Sequence, residues 1–276
     1  MPNAANQNES TRHVLLAGTS GVGKSTLAYY APKPLVALLL DKSSLDVPPN
    51  TDASQIFYKT YPPAIVDLRN DKHGRARNIA DQIISDIQLF RDHFTVGKKL
   101  QIQSGVDIKN SEEWPSPKTI VLEGGDFLAQ HILNLVCARH SKNNPSDFDN
   151  PFEAWGLRLV ELHAIYDMLT YLPCNIIVTT GIHKETKTSR INGKMVSEET
   201  GVCLPDLGGA LCSEGPRKFH SSLYVYAENG KHYVRTRSNI KFQGFKIGGR
   251  FGASELIDIT LDKAGDPWLK LFNEQK

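Results

Sequence analysis

A stretch near the amino terminus, Gly18-Thr19-Ser20-Gly21-Val22-Gly23-Lys24-Ser25, constrains this chain more than anything else in it. Its G-x-x-x-x-G-K-[ST] spacing follows an apolar run, His13-Val14-Leu15-Leu16-Ala17, and leads into Thr26-Leu27-Ala28-Tyr29-Tyr30-Ala31. Strand, glycine-rich turn and helix in that order form a phosphate-binding loop. The glycines let backbone N–H groups turn inward around phosphate oxygens, and the helix amino terminus adds partial positive charge. Lys24 is then placed to reach the β- and γ-phosphates, and Ser25 to hold Mg²⁺. Gly18, Thr19, Ser20, Gly21, Val22, Gly23, Lys24, Ser25 and Thr26 are the expected contacts to a nucleoside triphosphate.

The chain has 276 residues, which suits one large α/β domain with small additions. Apolar content of 40% is enough for a sizeable core, yet no apolar stretch reaches the roughly 20 residues that span a bilayer. No membrane association is expected. The polar start, residues 1–12, reads as a short disordered lead rather than a signal peptide or anchor. Cys137, Cys174, Cys203 and Cys212 form no C-x-x-C pair, so disulfides are not expected and a reducing cytoplasm fits. Net charge is +2, but residues 181–250 hold 12 Lys/Arg against 6 Asp/Glu, which makes the later third the basic one.

Hydropathy alternates between strand-like and helix-like periods. Strands are expected at 13–17, 35–40, 64–68, 119–123 and 175–180, several of them short continuous apolar runs of the kind buried in parallel sheets. Helices are expected at 24–31, across the stripe Ile79, Ile83, Ile84, Ile87, Phe90 and Phe94, and at about 126–140 and 152–171. Residues 42–62 and 97–118 read as loops. Beyond Gly181, Asn192-Gly193 and Asn229-Gly230 signal two hairpins, and 256–261 a last edge strand. The expected architecture is a mostly parallel sheet flanked by helices, with antiparallel strands on its C-terminal side.

A phosphate-loop enzyme also needs an acid in the Mg²⁺ shell, at the end of a strand beside the first. Glu123 closes the 119–122 run and is the first candidate, acting directly or through a water; Asp126 is its competitor, or a helix cap. Asp41, at the end of another core strand, is the candidate for positioning the attacking water, or a turn-initiating residue. His183 follows strand 175–180 and is placed to sense the γ-phosphate, unless it is an ordinary surface histidine. Lys184, Lys187, Arg190 and Lys194 make a basic hairpin suited to a nucleic-acid backbone, though it lacks aromatic residues and would serve equally as a solvated hairpin. Arg235, Arg237, Lys241, Lys246 and Arg250 form a second basic series that could reach a neighbouring subunit's nucleotide, or protect an edge strand.

In this order the residues resemble the RecA-like phosphate-loop ATPases of phages, the Sak-type single-strand annealing group. The likeness runs over about 12–250. It is carried by the loop at 18–25, the Ala31-Pro32-Lys33-Pro34 helix end, the strand to Asp41, the strand 119–123, Leu172-Pro173-Cys174-Asn175 through Gly181-Ile182-His183, Pro205-Asp206-Leu207-Gly208-Gly209, and Arg235-Thr236-Arg237. The resemblance implies a RecA-like ATPase domain over 12–262, preceded by the 1–11 lead and followed by a tail at 263–276. It implies ATP and Mg²⁺ as cofactors and single-stranded DNA as partner. It further implies a homo-oligomeric ring or filament, work beside a phage or host single-strand binding protein in the cytoplasm, and a role in recombination, annealing or replication. By carry-over, Lys24 and Ser25 bind nucleotide and metal, Glu123 is the strand-end acid, Asp41 activates water, His183 is the sensor and 184–204 the DNA-facing loop. The chain departs from that pattern with Glu at 123 and Asp at 41. A translocating motor, a small-molecule kinase and a nucleotide-stabilised module without hydrolysis are the competing readings.

Overall fold

The computed structural model describes residues 11–40, 47–48, 51–61, 75–100, 114–191, 194–246, 256–260 and 266–272. Five parallel strands form the core of the sheet: β1 (His13–Ala17), β2 (Leu35–Leu39), β3 (Ile56–Thr60), β4 (Thr119–Glu123) and β5 (Asn175–Thr180). β6 (Ile182–Ile191) and β7 (Lys194–Pro205) make a separate two-stranded hairpin, followed by the one-turn helix α5 (Leu211–Glu214). β8 (Ser221–Glu228), β9 (Lys231–Arg235) and β10 (Leu256–Asp258) complete an eight-stranded sheet in the order β10-β9-β8-β1-β5-β4-β2-β3. β8 runs parallel to β1, while β9 is antiparallel to both β8 and β10. β5 lies between the phosphate-loop strand β1 and the acid-bearing strand β4. This is a RecA-like phosphate-loop α/β fold, the class expected from the sequence.

The continuous apolar runs become central strands because both faces of the sheet are covered. On one face Leu15, Val36, Leu38, Ile120, Leu122, Ile176 and Val178 pack against α2 (Arg75–Val96), α3 (Gly125–Arg139) and α4 (Pro151–Thr170). On the other, the alternate residues Val14, Leu16, Leu35, Ala37, Val121 and Ile177 pack against α1 (Lys24–Tyr29) and α6 (Pro267–Phe272). The stripe on α2 is what turns inward: Ile79, Ile83, Ile87 and Phe90 are buried. Within the segment 263–276, α6 buries Trp268, Leu271 and Phe272 in the second of these layers. Among the described residues no helix is long and apolar enough to cross a membrane.

One expectation is corrected. The loop read at 42–62 contains strand β3, which pairs with β2 from Leu35↔Ile56 to Leu39↔Thr60. Its run of branched and aromatic residues is only five long and includes Lys59, so flanking Ser, Pro and Asp residues hid it. Lys59 is buried because Asp86 of α2 accepts from its ammonium at 2.6 Å and from the Tyr61 hydroxyl. The strand expected at 64–68 lies outside the described residues. The hairpin turn at 229–230 has positive φ at both Asn229 and Gly230, as its Asn-Gly sequence requires.

Two predictions follow from this packing. Asp86→Ala leaves the Lys59 charge buried without its carboxylate and is expected to lower the unfolding free energy by about 3–5 kcal/mol, read by urea denaturation. Acid should also destabilise the fold. Burial, helped at His13 by neighbouring His220, lowers the imidazoles of His13 and His131 from 6.5 to about 4. Between those values the unfolded chain binds more protons, so stability is fully present above pH 6.5 and is lost as pH falls toward 4. His131→Leu should flatten that decline in urea midpoints measured from pH 7 to pH 5; an unchanged slope would assign the acid sensitivity elsewhere.

Candidate active site

The carboxyl ends of β1, β4 and β5 meet at one edge of the sheet, where a cleft of about 790 Å³ opens. That is within the size range of small-molecule sites. The loop after β1 forms one wall, with Gly18 to Gly21 and Gly23 to Thr26 facing it. Gly21 and Gly23 have φ of 77° and 93°, which a side chain would strain. Gly23 opens α1 without any side-chain cap, and the first N–H groups of a helix have no partner within it. Gly18 is needed for a different reason: a Cβ there would lie 2.3 Å from the Val225 carbonyl oxygen of β8.

Lys24 curls over this loop, its ammonium donating to the carbonyls of Gly18 at 2.9 Å and Thr19 at 2.8 Å. Across the cleft Glu123 is buried at the end of β4. The Ser25 hydroxyl donates to one of its carboxylate oxygens and the Tyr29 hydroxyl to the other. Serine and carboxylate oxygens thus converge beside the phosphate loop, a hard donor set of the kind Mg²⁺ takes. The residues fit the metal: Ser25 and Glu123 would hold it, and it would neutralise phosphate charge there. A triphosphate would lie against the loop backbone and Lys24.

Asp126, in the first turn of α3, also lines the cleft. Burial, and to a lesser degree the charge of Asp206, raises its carboxyl above the ordinary value, against the opposing pull of Lys24. Thr179 and Thr180 close the floor between β1 and β4; the Gly124 amide donates to the Thr179 hydroxyl at 3.2 Å. His232, just past the β8–β9 turn, donates from Nδ1 to the Val22 carbonyl at 2.9 Å and packs its ring on Gly23. With Leu27, Ile259 and Pro267 it also lines a smaller recess of about 90 Å³ that adjoins the cleft.

The structure therefore brings together Lys24, Ser25, Thr26 and Glu123, with Asp126 beside them. His183 stands apart from the cleft: it is exposed, and its ring lies with Asp206 and Cys212, their ligand atoms within 4.8 Å of one another. Asp41 and Arg250 lie outside the described residues. Lys184 and Lys187 are exposed on β6, where Lys184 pairs with Glu199 at 3.2 Å and Lys187 stands opposite Glu198. Arg190 and Lys194 are in the same ladder near its turn. Arg235, Arg237, Lys241 and Lys246 lie on the β8–β9 side of the sheet.

Tyr29, Thr179, Thr180 and His232 escaped the sequence reading. Tyr29 had a usable signal, since it lies four residues after Ser25 and so on the same helix face. His232 had none, because its place depends on β8 pairing with β1 across more than 200 residues.

Fold and cleft together define a phosphate-loop ATPase. Residues 10–239 match the AAA domain, and the chain belongs to that family. Among solved structures, the crystal structure of a KaiC-like protein from the hyperthermophilic archaeon Pyrococcus horikoshii OT3 aligns over 83% of this chain and 80% of its own, at 15% identity and a TM-score of 0.34. No curated protein sequence matches the chain.

Tyr29→Phe removes a hydroxyl that donates to the buried Glu123 carboxylate. The expected loss is about 1–3 kcal/mol of unfolding free energy, measured by urea denaturation. A loss within about 0.5 kcal/mol, the range of ordinary surface substitutions, would show that this hydrogen bond carries no weight.

Proposed function

We propose that this chain is an ATPase whose hydrolysis is stimulated by single-stranded DNA, acting as a homo-oligomer in phage recombination, strand annealing or replication. One observation carries the coupling between nucleotide and DNA. The cleft wall and the β6–β7 hairpin are one continuous stretch of backbone: Thr180, Gly181 and Ile182 line the cleft, and Ile182 is the first residue of β6. A change at the γ-phosphate end of the cleft therefore has a short mechanical route into an exposed element. The segment after the hairpin is tied back to the same place, since the Asp206 amide donates to the Gly181 carbonyl at 3.0 Å and the Thr180 hydroxyl donates to the Asp206 carbonyl.

In this reading Lys24 and the loop amides bind the triphosphate, and Ser25 and Glu123 hold the metal. A carboxylate orients the attacking water: Asp126, which lines the cleft, or Asp41, the candidate from the sequence. His183 reports through the Asp206 contact rather than by touching phosphate itself. The sequence resemblance to the Sak-type annealing ATPases supports the DNA partner and the phage context.

Steady-state ATP hydrolysis with and without single-stranded DNA tests the proposal. Stimulation by DNA is expected in the parent chain, with a fall on the order of 10²-fold or more in Lys24→Ala, the scale of losing one preorganised charge-stabilising donor. Hydrolysis indifferent to DNA would point to a kinase or a motor with another partner. Nucleotide binding without hydrolysis would leave a non-enzymatic module.

A further inference from the structure

Among the described residues, no helix covers the β8–β9 end of one face of the sheet. Register pairs Ala17 with Tyr224 and Leu15 with Ser222, so Tyr224 and Tyr226 lie on the same side as Leu15, the side that α2, α3 and α4 pack. Those helices cover the centre of the sheet. Over β8 and β9 the half-buried rings of Tyr224, Tyr226 and Tyr233 stand in their place, joined by Phe242 from the segment that folds back at Ser222↔Lys246.

The four rings form a ladder. Phe242 and Tyr224 stack with centroids 4.4 Å apart, Tyr224 and Tyr226 at 5.6 Å, and Tyr226 and Tyr233 at 5.4 Å, with interplanar angles between 15° and 26°. Cations frame it: the Arg235 guanidinium lies 5.1 Å and the Lys241 ammonium 5.5 Å from the Phe242 ring centroid. Arg237, Lys241 and Lys246 are exposed. From 229 to 246 the chain has five Lys/Arg and no Asp/Glu. Among the described residues, the carboxylates paired to these strands lie at the margin, Glu228 opposite Lys231 and Asp258 opposite Tyr233.

The β6–β7 hairpin contrasts with this face at every point. Across 184–200 it has four Lys/Arg but three Asp/Glu and no aromatic residue. Its Lys184 is ion-paired with Glu199, and Lys187 faces Glu198 across the ladder. A cation already opposed by a carboxylate gains little by meeting a phosphate. Exposed cations set around stacked rings are what a polyanion with exposed bases requires.

We propose that the uncovered β8–β9 face, with the 237–246 segment beside it, is where this chain binds single-stranded nucleic acid. Arg237, Lys241 and Lys246 meet successive phosphates, and a base continues the ring ladder at its Phe242 or Tyr233 end. The hairpin β6–β7 then serves as a mechanical element rather than the main contact. This rests on the proposed reading of the chain as a single-strand DNA-dependent ATPase.

Binding of a fluorescein-labelled oligothymidylate to the full chain, followed by anisotropy across a salt series with ATP present, tests it. Each phosphate contact on a single strand contributes about 0.7 to the log–log salt slope, so Arg237→Gln/Lys241→Gln/Lys246→Gln should reduce the slope by about 2. Phe242→Leu should weaken binding with the slope unchanged, and Lys184→Gln/Lys187→Gln should leave the slope where it was. Thermal midpoints of all variants guard against unfolding, and the exposed single change Lys241→Glu, which should also weaken binding, covers a triple variant that folds poorly. A slope lost in the hairpin variant and kept in the triple variant overturns this site while leaving the DNA-dependent reading intact. A triple variant that keeps its slope but loses self-association makes the face a subunit contact and overturns the proposal too. A parent chain that binds no oligothymidylate overturns both.

Discussion

A carboxylate buried at the end of a central strand must find hydrogen-bond donors or give up its charge, and the architecture around Glu123 follows from that requirement. Its two oxygens accept from Ser25 and Tyr29, one turn apart on α1. Ser25 is also the phosphate-loop hydroxyl. The contact that satisfies the carboxylate is therefore the contact that fixes the loop's helix against β4, a strand separated from β1 by β5. The same pair of oxygens is what a divalent cation beside a triphosphate needs. Structural satisfaction and metal affinity compete for one carboxylate, so the helix and the metal shell are linked: a group that draws Ser25 away loosens one of the ties between α1 and β4.

The loop is held from its other side by the C-terminal strands. β8 approaches so closely at Val225 that only glycine fits at position 18, and His232 grips the Val22 carbonyl. The antiparallel strands are thus part of the nucleotide site and not an appendage to the parallel core. They also join the second hydrophobic layer through Leu223, Val225 and Val234, beside α1 and α6. Movement of β8–β9 by something bound to its uncovered face would be felt at Gly18 and Val22 through direct contacts.

Much of this was legible in the sequence because the relevant signals are local. The phosphate loop, the apolar runs of β1, β2, β4 and β5 and the α2 stripe each depend on residues within a few positions of one another. Glu123 was legible because a strand end is a defined place. What escaped was set by long-range pairing. β3 hides a buried lysine whose partner, Asp86, lies 27 residues on. β8 reads as half of a hairpin, which it is, but its parallel pairing with β1 has no local mark. His183 reads as a sensor from its place after β5, yet the first residues of β6 carry it to Asp206 and Cys212 instead of the cleft.

Charge offers the same lesson in a form that bears on function. Read along the chain, the segments 184–194 and 235–250 are two comparable basic series. Folding makes them different. Antiparallel pairing places Glu198 opposite Lys187, and Glu199 reaches Lys184 as an ion pair, so the hairpin's field largely cancels within itself. The β8–β9 pairing instead sets Arg235 opposite Tyr224 and gathers rings between the remaining cations. An exposed ion pair is worth little, but it lowers what either partner gains from a phosphate. Of the second series, Arg237, Lys241 and Lys246 are exposed beside the rings, which give a surface that bases can extend.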